Sequence, residues 1–127
     1  MGRFLLVCLG GAVGTGARYL ISNWTLKSFG PSFPYGTLAV NLIGSLLLAA
    51  LLYSGTDAAN VTPTMRLALT TGVMGGFTTY STFSFETLKY LQSGHWGAAI
   101  TYITLTFFGC LAASFAGWYA AKHLLPS

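Results

Sequence analysis

The residues with the clearest chemical potential lie in one stretch, Thr70 to Glu86, which reads TTGVMGGFTTYSTFSFE. Paired glycines followed by β-branched threonines disfavour a continuous helix, so one interpretation is a helix break near Gly75 to Thr79. Inside a membrane, irregular backbone must face protein or a water-filled cavity. The carbonyl groups released there would suit a small hard cation such as Na⁺, above all if two inverted copies converged on it. The alternative is an unbroken glycine-rich helix packed tightly on its neighbours.

Beyond the possible break, aromatic and hydroxyl side chains alternate. Tyr80 and Phe83 lie three residues apart, and Ser81 and Thr82 stand between them. If helix resumes there, the two rings share one face and the hydroxyls lie alongside. Because the edge of an aromatic ring is electropositive, this pattern could favour a dehydrated anion. Ordinary aromatic packing is the alternative.

Two other apolar segments also contain polar atoms. Asn41 lies deep in one of them, where an unpaired amide is expensive. In the last segment a polar residue recurs at every fourth position and so follows one helix face: Tyr102, Thr106, Cys110 and Ser114. Such a row of donors could replace the hydration shell of a small anion. Hydrogen bonds between helices are the commoner use of isolated Ser and Thr in membranes.

The composition indicates that the bilayer is the solvent. Of the 127 residues, 54% are hydrophobic and only 6% are charged, whereas soluble domains carry roughly 25% charged residues. About 20 mostly apolar residues are needed to cross the hydrocarbon core. We therefore expect an all-α membrane protein with a single domain over residues 1–127. Its four predicted spans are Phe4 to Trp24, with Arg18 towards its far end, Gly36 to Ser54, the stretch between Arg66 and Lys89, and Gly97 to Ala121.

The first predicted span has two further features. Arg3 before an apolar run could mark a signal peptide, but no convincing cleavage site follows, and we favour an uncleaved helix. Gly10 and Gly14 form a small-xxx-small face that predicts close packing against another helix.

The basic residues are scattered singly, which argues against a nucleic-acid surface despite the formal charge of +4. With four spans, one side of the membrane would hold Arg3, Arg66 and Lys122, and the other Arg18, Lys27 and Lys89. Asp57 and His123 similarly balance Glu86 and His95. Since an excess of Lys and Arg sets orientation, this balance suggests insertion in both orientations and pairing with an inverted copy. With so few charges, chance could produce the same balance.

These motifs resemble the Fluc (CrcB) family of bacterial fluoride channels over essentially the whole chain. The matching patterns are GGxxGxxxR from Gly10 to Arg18, PxGTLxVNxxG from Pro34 to Gly44, and GGFTTxSTFSxE from Gly75 to Glu86. The resemblance implies passive export of fluoride across the bacterial inner membrane. It also implies an antiparallel, dual-topology homodimer of four-helix subunits, with two pores and a central structural Na⁺.

The resemblance also implies roles for individual residues. Carbonyls of Gly75 and Thr78 would bind Na⁺, and Arg18 and Glu86 would be structural or vestibule residues. The fluoride pathway would consist of Asn41, Tyr80, Ser81, Thr82, Phe83, Tyr102, Thr106, Cys110 and Ser114. Two of these depart from the family pattern, since Tyr80 stands where Phe is usual and Cys110, a weak donor, stands where we expect Ser.

Other functions are less well supported by the sequence. A small multidrug transporter would need a membrane-embedded carboxylate, and none occurs in the first span. Two alternatives are not excluded by the sequence: an assembly subunit without transport activity, and an active fluoride exporter. With two distant acids and no evident partner for either histidine, we expect no enzyme.

Overall fold

The computed structural model describes residues 1–53 and 61–124, and all regular structure in these ranges is helical. This confirms the predicted all-α class. The connection around Asp57 and the predicted span end at Ser54 lie outside the described residues. The helices are α1 (Gly2–Phe29), α2 (Tyr35–Tyr53), α3 (Pro63–Leu67), a π-helical segment (Ala68–Met74), α4 (Gly75–Phe77), α5 (Tyr80–Gln92) and α6 (Trp96–Leu124).

The first helix is longer than its hydrophobic run predicts. It continues through Trp24 and ends at Phe29, where Gly30 adopts a positive φ of 79° and donates its N–H to the Leu26 carbonyl at 2.9 Å. Glycine adopts this conformation without strain, so the helix ends there. The expectation that Arg18 lies near the end of the span is therefore wrong, because Arg18 lies well inside α1.

Three of the described helices, α1, α2 and α6, are long and apolar enough to cross a membrane. Their outer surfaces are strongly hydrophobic, with Leu20 and Phe115 each 68% exposed, whereas few apolar side chains are buried. An exposed apolar surface of this extent is compatible with lipid and not with water. The chain is thus a multi-pass membrane protein that contains a broken helix between α2 and α6.

Glycines bring α1 against the π-helical segment and α4. A Cβ atom on Gly10 would lie 2.7 Å from the Ala68 carbonyl oxygen, and one on Gly76 would lie 2.5 Å from the Gly11 carbonyl oxygen. A Cβ on Gly14 would collide with the backbone of Val73. The small-xxx-small prediction for Gly10 and Gly14 is confirmed, since only glycine allows two backbones to approach this closely.

The second long contact joins α2 to α6. Gly117 of α6 has no room for a Cβ against the Leu46 carbonyl, and Val40 of α2 is fully buried. At one end of the molecule Arg66 donates through Nη1 to the Leu51 carbonyl at 2.8 Å, which caps the C-terminal part of α2. One packed group is α1 with the π-helical segment and α4, and the other is α2 with α6. A space lined by polar residues lies between α2, α5 and α6.

Candidate functional site: a helix break beside a polar groove

The break occurs at two threonines. Thr78 (φ −86°, ψ 158°) and Thr79 (φ −152°, ψ 116°) are extended, whereas Gly75–Phe77 is still helical. The Thr79 hydroxyl accepts a hydrogen bond from the Thr82 amide at 3.2 Å and so caps the start of α5. The predicted break is confirmed, although it occupies only the last part of the predicted window. The alternative of an unbroken helix is wrong, although the glycines before the break do pack tightly against α1.

Asn41 holds the broken backbone in place. Its Nδ2 donates to the Thr79 carbonyl at 3.1 Å, and its Oδ1 accepts from the Thr79 N–H at 2.8 Å. Asn41 is buried at 9% exposure. The amide therefore satisfies both polar groups of a residue that has left the helix, where unpaired groups would be costly.

The carbonyl groups before the break accept hydrogen bonds from different donors. The Met74 carbonyl accepts from both the amide and the hydroxyl of Thr78, at 3.0 and 3.1 Å. The Gly76 carbonyl accepts from Arg18 Nε at 3.0 Å. In an α-helix the Gly75 carbonyl would accept from the Thr79 amide, but that amide donates to Asn41 instead. Gly75 is also an exposed residue.

A groove of about 530 Å³ runs beside the break, between α2, α5 and α6. We call it the groove, and its polar lining consists of Asn41, Ser45, Thr78, Thr79, Thr106, Cys110 and Ser114. Its apolar lining includes Tyr80 and Phe83. No Lys, Arg, Asp or Glu lies among the described lining residues. The groove can therefore contact an anion with neutral donors and ring edges only.

Thr106 is the most unusual member of the groove lining. It is 9% exposed, and its Oγ1 has no hydrogen-bond partner within the part of the chain that the structure describes. On a helix, a threonine hydroxyl often bonds to a carbonyl one turn earlier. Because Oγ1 itself is inaccessible to solvent, this hydroxyl lies within the groove wall and does not face the groove.

The two predicted aromatic residues stand together at the groove. The Tyr80 and Phe83 ring centroids are 5.5 Å apart with planes at 69°, and the edge-to-face contact continues from Phe83 to Tyr102 at 5.0 Å. Tyr80 is 79% exposed, whereas Tyr102 is fully buried. The rings thus form a row from the groove mouth into the interior, in the geometry that aromatic pairs prefer.

A second cavity, of about 500 Å³, opens at the end where α1 and α5 finish and α2 and α6 begin. We call it the polar cavity, and its polar lining includes Thr37, Thr82, Glu86, Lys89 and His95. The Tyr102 hydroxyl donates to Glu86 Oε1 at 2.9 Å. Tyr102 therefore touches a lining residue of each cavity, with its ring against Phe83 and its hydroxyl on Glu86.

The structure gathers most, but not all, of the predicted pathway residues. Six of them line the groove: Asn41, Tyr80, Phe83, Thr106, Cys110 and Ser114. Tyr102 is buried behind it, Thr82 faces the polar cavity, and Ser81 is exposed and lines neither.

Sequence reasoning missed Thr79, which both pairs with Asn41 and caps α5. The preference for Thr at helix N-caps, just before the run YSTFSFE, is the signal that could have found it. It also missed the bond from Arg18 to the Gly76 carbonyl, for which sequence offers no local signal.

No group of three or more His, Cys, Asp or Glu residues that could hold a metal occurs in the described ranges. A metal ion at this site would therefore depend on backbone or hydroxyl oxygen atoms. The Gly75 carbonyl has the chemistry for this role, since hard cations prefer oxygen ligands.

Comparison with known proteins gives sequence matches over most of the chain. Residues 5–118 match the family described as CrcB-like protein, Camphor Resistance (CrcB). A protein of Anaeromyxobacter dehalogenans named fluoride-specific ion channel FluC is 56% identical over 124 residues, covering 98% of both chains. Proteins of the same name from Sorangium cellulosum and Clostridium perfringens are each 47% identical, over 98% and 84% of this chain and 98% and 82% of their own lengths.

The names of these relatives denote ion channels and not enzymes, which confirms the expectation that the chain is not an enzyme. The resemblance drawn from the three motifs is likewise confirmed at the level of the family. The chain belongs to the CrcB family, whose curated relatives are named fluoride-specific ion channels.

Proposed function

We propose that the chain is a passive, fluoride-selective channel that lets fluoride leave the bacterial cytoplasm across the inner membrane. The observation that carries the proposal is the groove, whose described lining holds neutral donors such as Asn41, Ser45 and Ser114 and no charged side chain. The names of the relatives supply the identity of the ion.

Selectivity would arise from how the groove replaces water around an anion. Hydroxyl donors at Ser45 and Ser114 and the ring edge of Phe83 offer weak contacts at short range. Small anions gain most from such contacts because electrostatic energy rises as the distance falls. Larger halides would fit less closely between α2 and α6 and would lose more hydration than they regain.

We further propose that the molecule has four spans, with the third formed jointly by α3, the π-helical segment, α4 and α5. This segment runs from Pro63 to Gln92, and 30 residues of helix reach about 45 Å at 1.5 Å per residue. The break shortens this reach, but the remaining length still suits a hydrocarbon core of about 30 Å.

A second, inverted copy would complete the pathway. The groove is open on the side of Tyr80, so one chain supplies only part of its wall. The charges also favour this arrangement. Because Arg18 is engaged at the break, the loop and end charges are Arg3, Arg66 and Lys122 against Lys27 and Lys89. Three against two is a weak bias, which suits insertion in both orientations.

A central Na⁺ fits the residues present at the break. The Gly75 carbonyl lacks the Thr79 amide as its helical partner, and the Thr78 carbonyl belongs to extended backbone. Oxygen atoms from two such breaks would surround the ion. Bound Na⁺ would neutralise the converging carbonyl dipoles and hold the two subunits together. Unfolding temperatures in Na⁺ and in K⁺ at equal ionic strength test this, and equal values would remove the ion from the proposal.

The decisive experiment uses protein reconstituted into liposomes loaded with fluoride or chloride. A passive channel releases fluoride rapidly, without a proton gradient, and releases no chloride. Efflux that depends on an imposed proton gradient would instead support an active exporter. Liposomes that release neither ion would rule out the channel and favour an assembly role.

A further inference from the structure

Tyr102 is a buried side chain that contacts residues of both the groove and the polar cavity. It is 0% exposed, and it is not among the described lining residues of either space. Its ring contacts Phe83, which lines the groove, and its hydroxyl donates to Glu86, which lines the polar cavity. Other residues must therefore cover the side of Tyr102 that faces the polar cavity.

Phe33, in the connection between α1 and α2, provides this cover. Its half-buried ring lines the polar cavity and stands at 76° to the Tyr102 ring, with the two centroids 5.5 Å apart. Tyr90 adds a more distant ring, whose centroid lies 6.4 Å from that of Tyr102. The Tyr102 ring is thus held from two directions, by Phe33 from the polar cavity and by Phe83 from the groove.

The backbone around Phe33 is fixed at several points. Tyr90 Oη donates to the Ser32 carbonyl at 2.9 Å, which ties the connection to α5. The Phe33 carbonyl accepts from the Tyr35 amide at 2.8 Å, the hydrogen bond of a three-residue turn. Pro34 is the central residue of this turn, and its ring restricts φ. The Phe33 ring is therefore held against Tyr102 by its own backbone.

We propose that Phe33 is a positioning residue of the fluoride pathway and acts through Tyr102. This inference rests on the proposed channel function. A tyrosine side chain can change its rotamer, and contacts on both faces are needed to keep its hydroxyl on Glu86 and its ring against Phe83. Phe33 supplies the contact on the side of the polar cavity and keeps water away from Tyr102. The connection between α1 and α2 thus belongs to the pathway wall.

The exposure of Tyr102 is measured first, independently of transport. The full chain in lipid nanodiscs is labelled with hydroxyl radicals, and the modification of each tyrosine is quantified by mass spectrometry. Tyr35, which lines the polar cavity and is 43% exposed, is the reference. Tyr102 should stay almost unlabelled in the parent chain and reach the level of Tyr35 in Phe33→Ala. Unchanged labelling of Tyr102 in this variant would overturn the proposal.

Fluoride efflux from liposomes tests whether the ring itself is required. Phe33→Leu fills much of the same volume without a ring edge. Efflux should fall roughly two- to tenfold, the effect of losing one edge-to-face pair. Phe33→Tyr keeps the ring and should keep the efflux, because the polar cavity has room for the added hydroxyl. Full efflux in Phe33→Leu, or an equal loss in both variants, would contradict a positioning role.

Phe29→Leu is the matched control. The Phe29 ring contacts Tyr35, as the Phe33 ring does, but Phe29 is not among the described lining residues of either cavity. This variant should keep its efflux and leave Tyr102 unlabelled. A loss of efflux as large as that of Phe33→Leu would overturn the assignment, because a general loosening of the connection would then explain both.

Tyr90→Phe covers the case in which Phe33→Ala does not fold. It keeps every ring and removes only the hydroxyl that donates to Ser32. The unfolding temperature should stay close to that of the parent chain, and labelling of Tyr102 should rise because the connection is no longer tied to α5. Unchanged labelling in a folded Tyr90→Phe variant would argue against the connection as the cover of Tyr102.

The two proposals fail separately. If liposomes with the parent chain release no fluoride, the channel proposal fails, and labelling still decides whether Phe33 covers Tyr102. If fluoride flows equally in the parent chain and in Phe33→Leu, only the role of Phe33 is lost.

Discussion

Asn41 differs from the other polar residues of the groove because both ends of its amide already bond to the Thr79 backbone. The residue that the family pattern places in the pore therefore positions the broken helix, and only its second Nδ2 hydrogen is left for an anion. A carboxylate at this position can accept from the Thr79 amide but cannot donate to its carbonyl.

We expect Asn41→Asp to abolish fluoride flux and to destabilise the protein by about 1–3 kcal/mol, the usual effect of a buried group left without its partner. The introduced negative charge also repels the anion. Fluoride efflux and thermal unfolding in detergent measure the two effects. Asn23→Asp, the same change on α1 away from the break, is the control. Normal flux in Asn41→Asp would show that the two hydrogen bonds between Asn41 and the Thr79 backbone are not required for transport.

The aromatic row makes a second prediction at the residue scale. The Tyr80 hydroxyl has no hydrogen bond in the described part of the chain, so Tyr80→Phe should keep fluoride flux. Phe83 contacts the rings of both Tyr80 and Tyr102, and Phe83→Ile removes the ring edge, so flux should fall sharply.

Efflux rates from liposomes give this comparison, with Phe85→Ile as a control on an exposed position of the same helix. Equal flux in Tyr80→Phe and Phe83→Ile would argue against any role for ring edges in the pathway.

At the scale of elements, the contact of α1 with α4 depends on the absence of side chains. Gly76→Ala would place a Cβ 2.5 Å from the Gly11 carbonyl oxygen, and backbone cannot move aside easily. We expect a loss of about 1–3 kcal/mol, typical of overpacking, seen as a lower unfolding temperature. Gly16→Ala is the control, because nothing lies within 4 Å of its Cβ position. A stable Gly76→Ala variant would mean that α1 can shift away from α4.

The elements also show which parts of the fold sequence could predict. The helices and the break followed from apolar runs and from threonines after paired glycines, which are local signals. The end of α1 at Gly30 was missed because Thr25, Lys27 and Ser28 interrupt the apolar run, although the helix continues through them. The bonds from Arg18 to Gly76 and from Asn41 to Thr79 join residues 58 and 38 positions apart. Such pairs arise from packing, which local patterns do not encode.

At the scale of the whole molecule, the charges at its two ends decide how it inserts. One end gathers the last turns of α1 and α5 and the first turns of α2 and α6 around the polar cavity. The other end holds Gly2, the Arg66 cap on α2, and His123. Because the bias between these ends is small, two added lysines should fix the orientation of every copy.

We expect Gln92→Lys with Gly97→Lys to force one orientation, and Gly2→Lys with His123→Lys to force the opposite one. All four positions are exposed, and a Cβ at Gly2 or Gly97 meets nothing within 4 Å. If the functional unit pairs inverted copies, each double variant alone should lose fluoride flux, and co-expression should restore it. Reporter fusions to the C-terminus would verify that the lysines set orientation. Full flux from a variant held in a single orientation would show that the pathway is complete without an inverted partner.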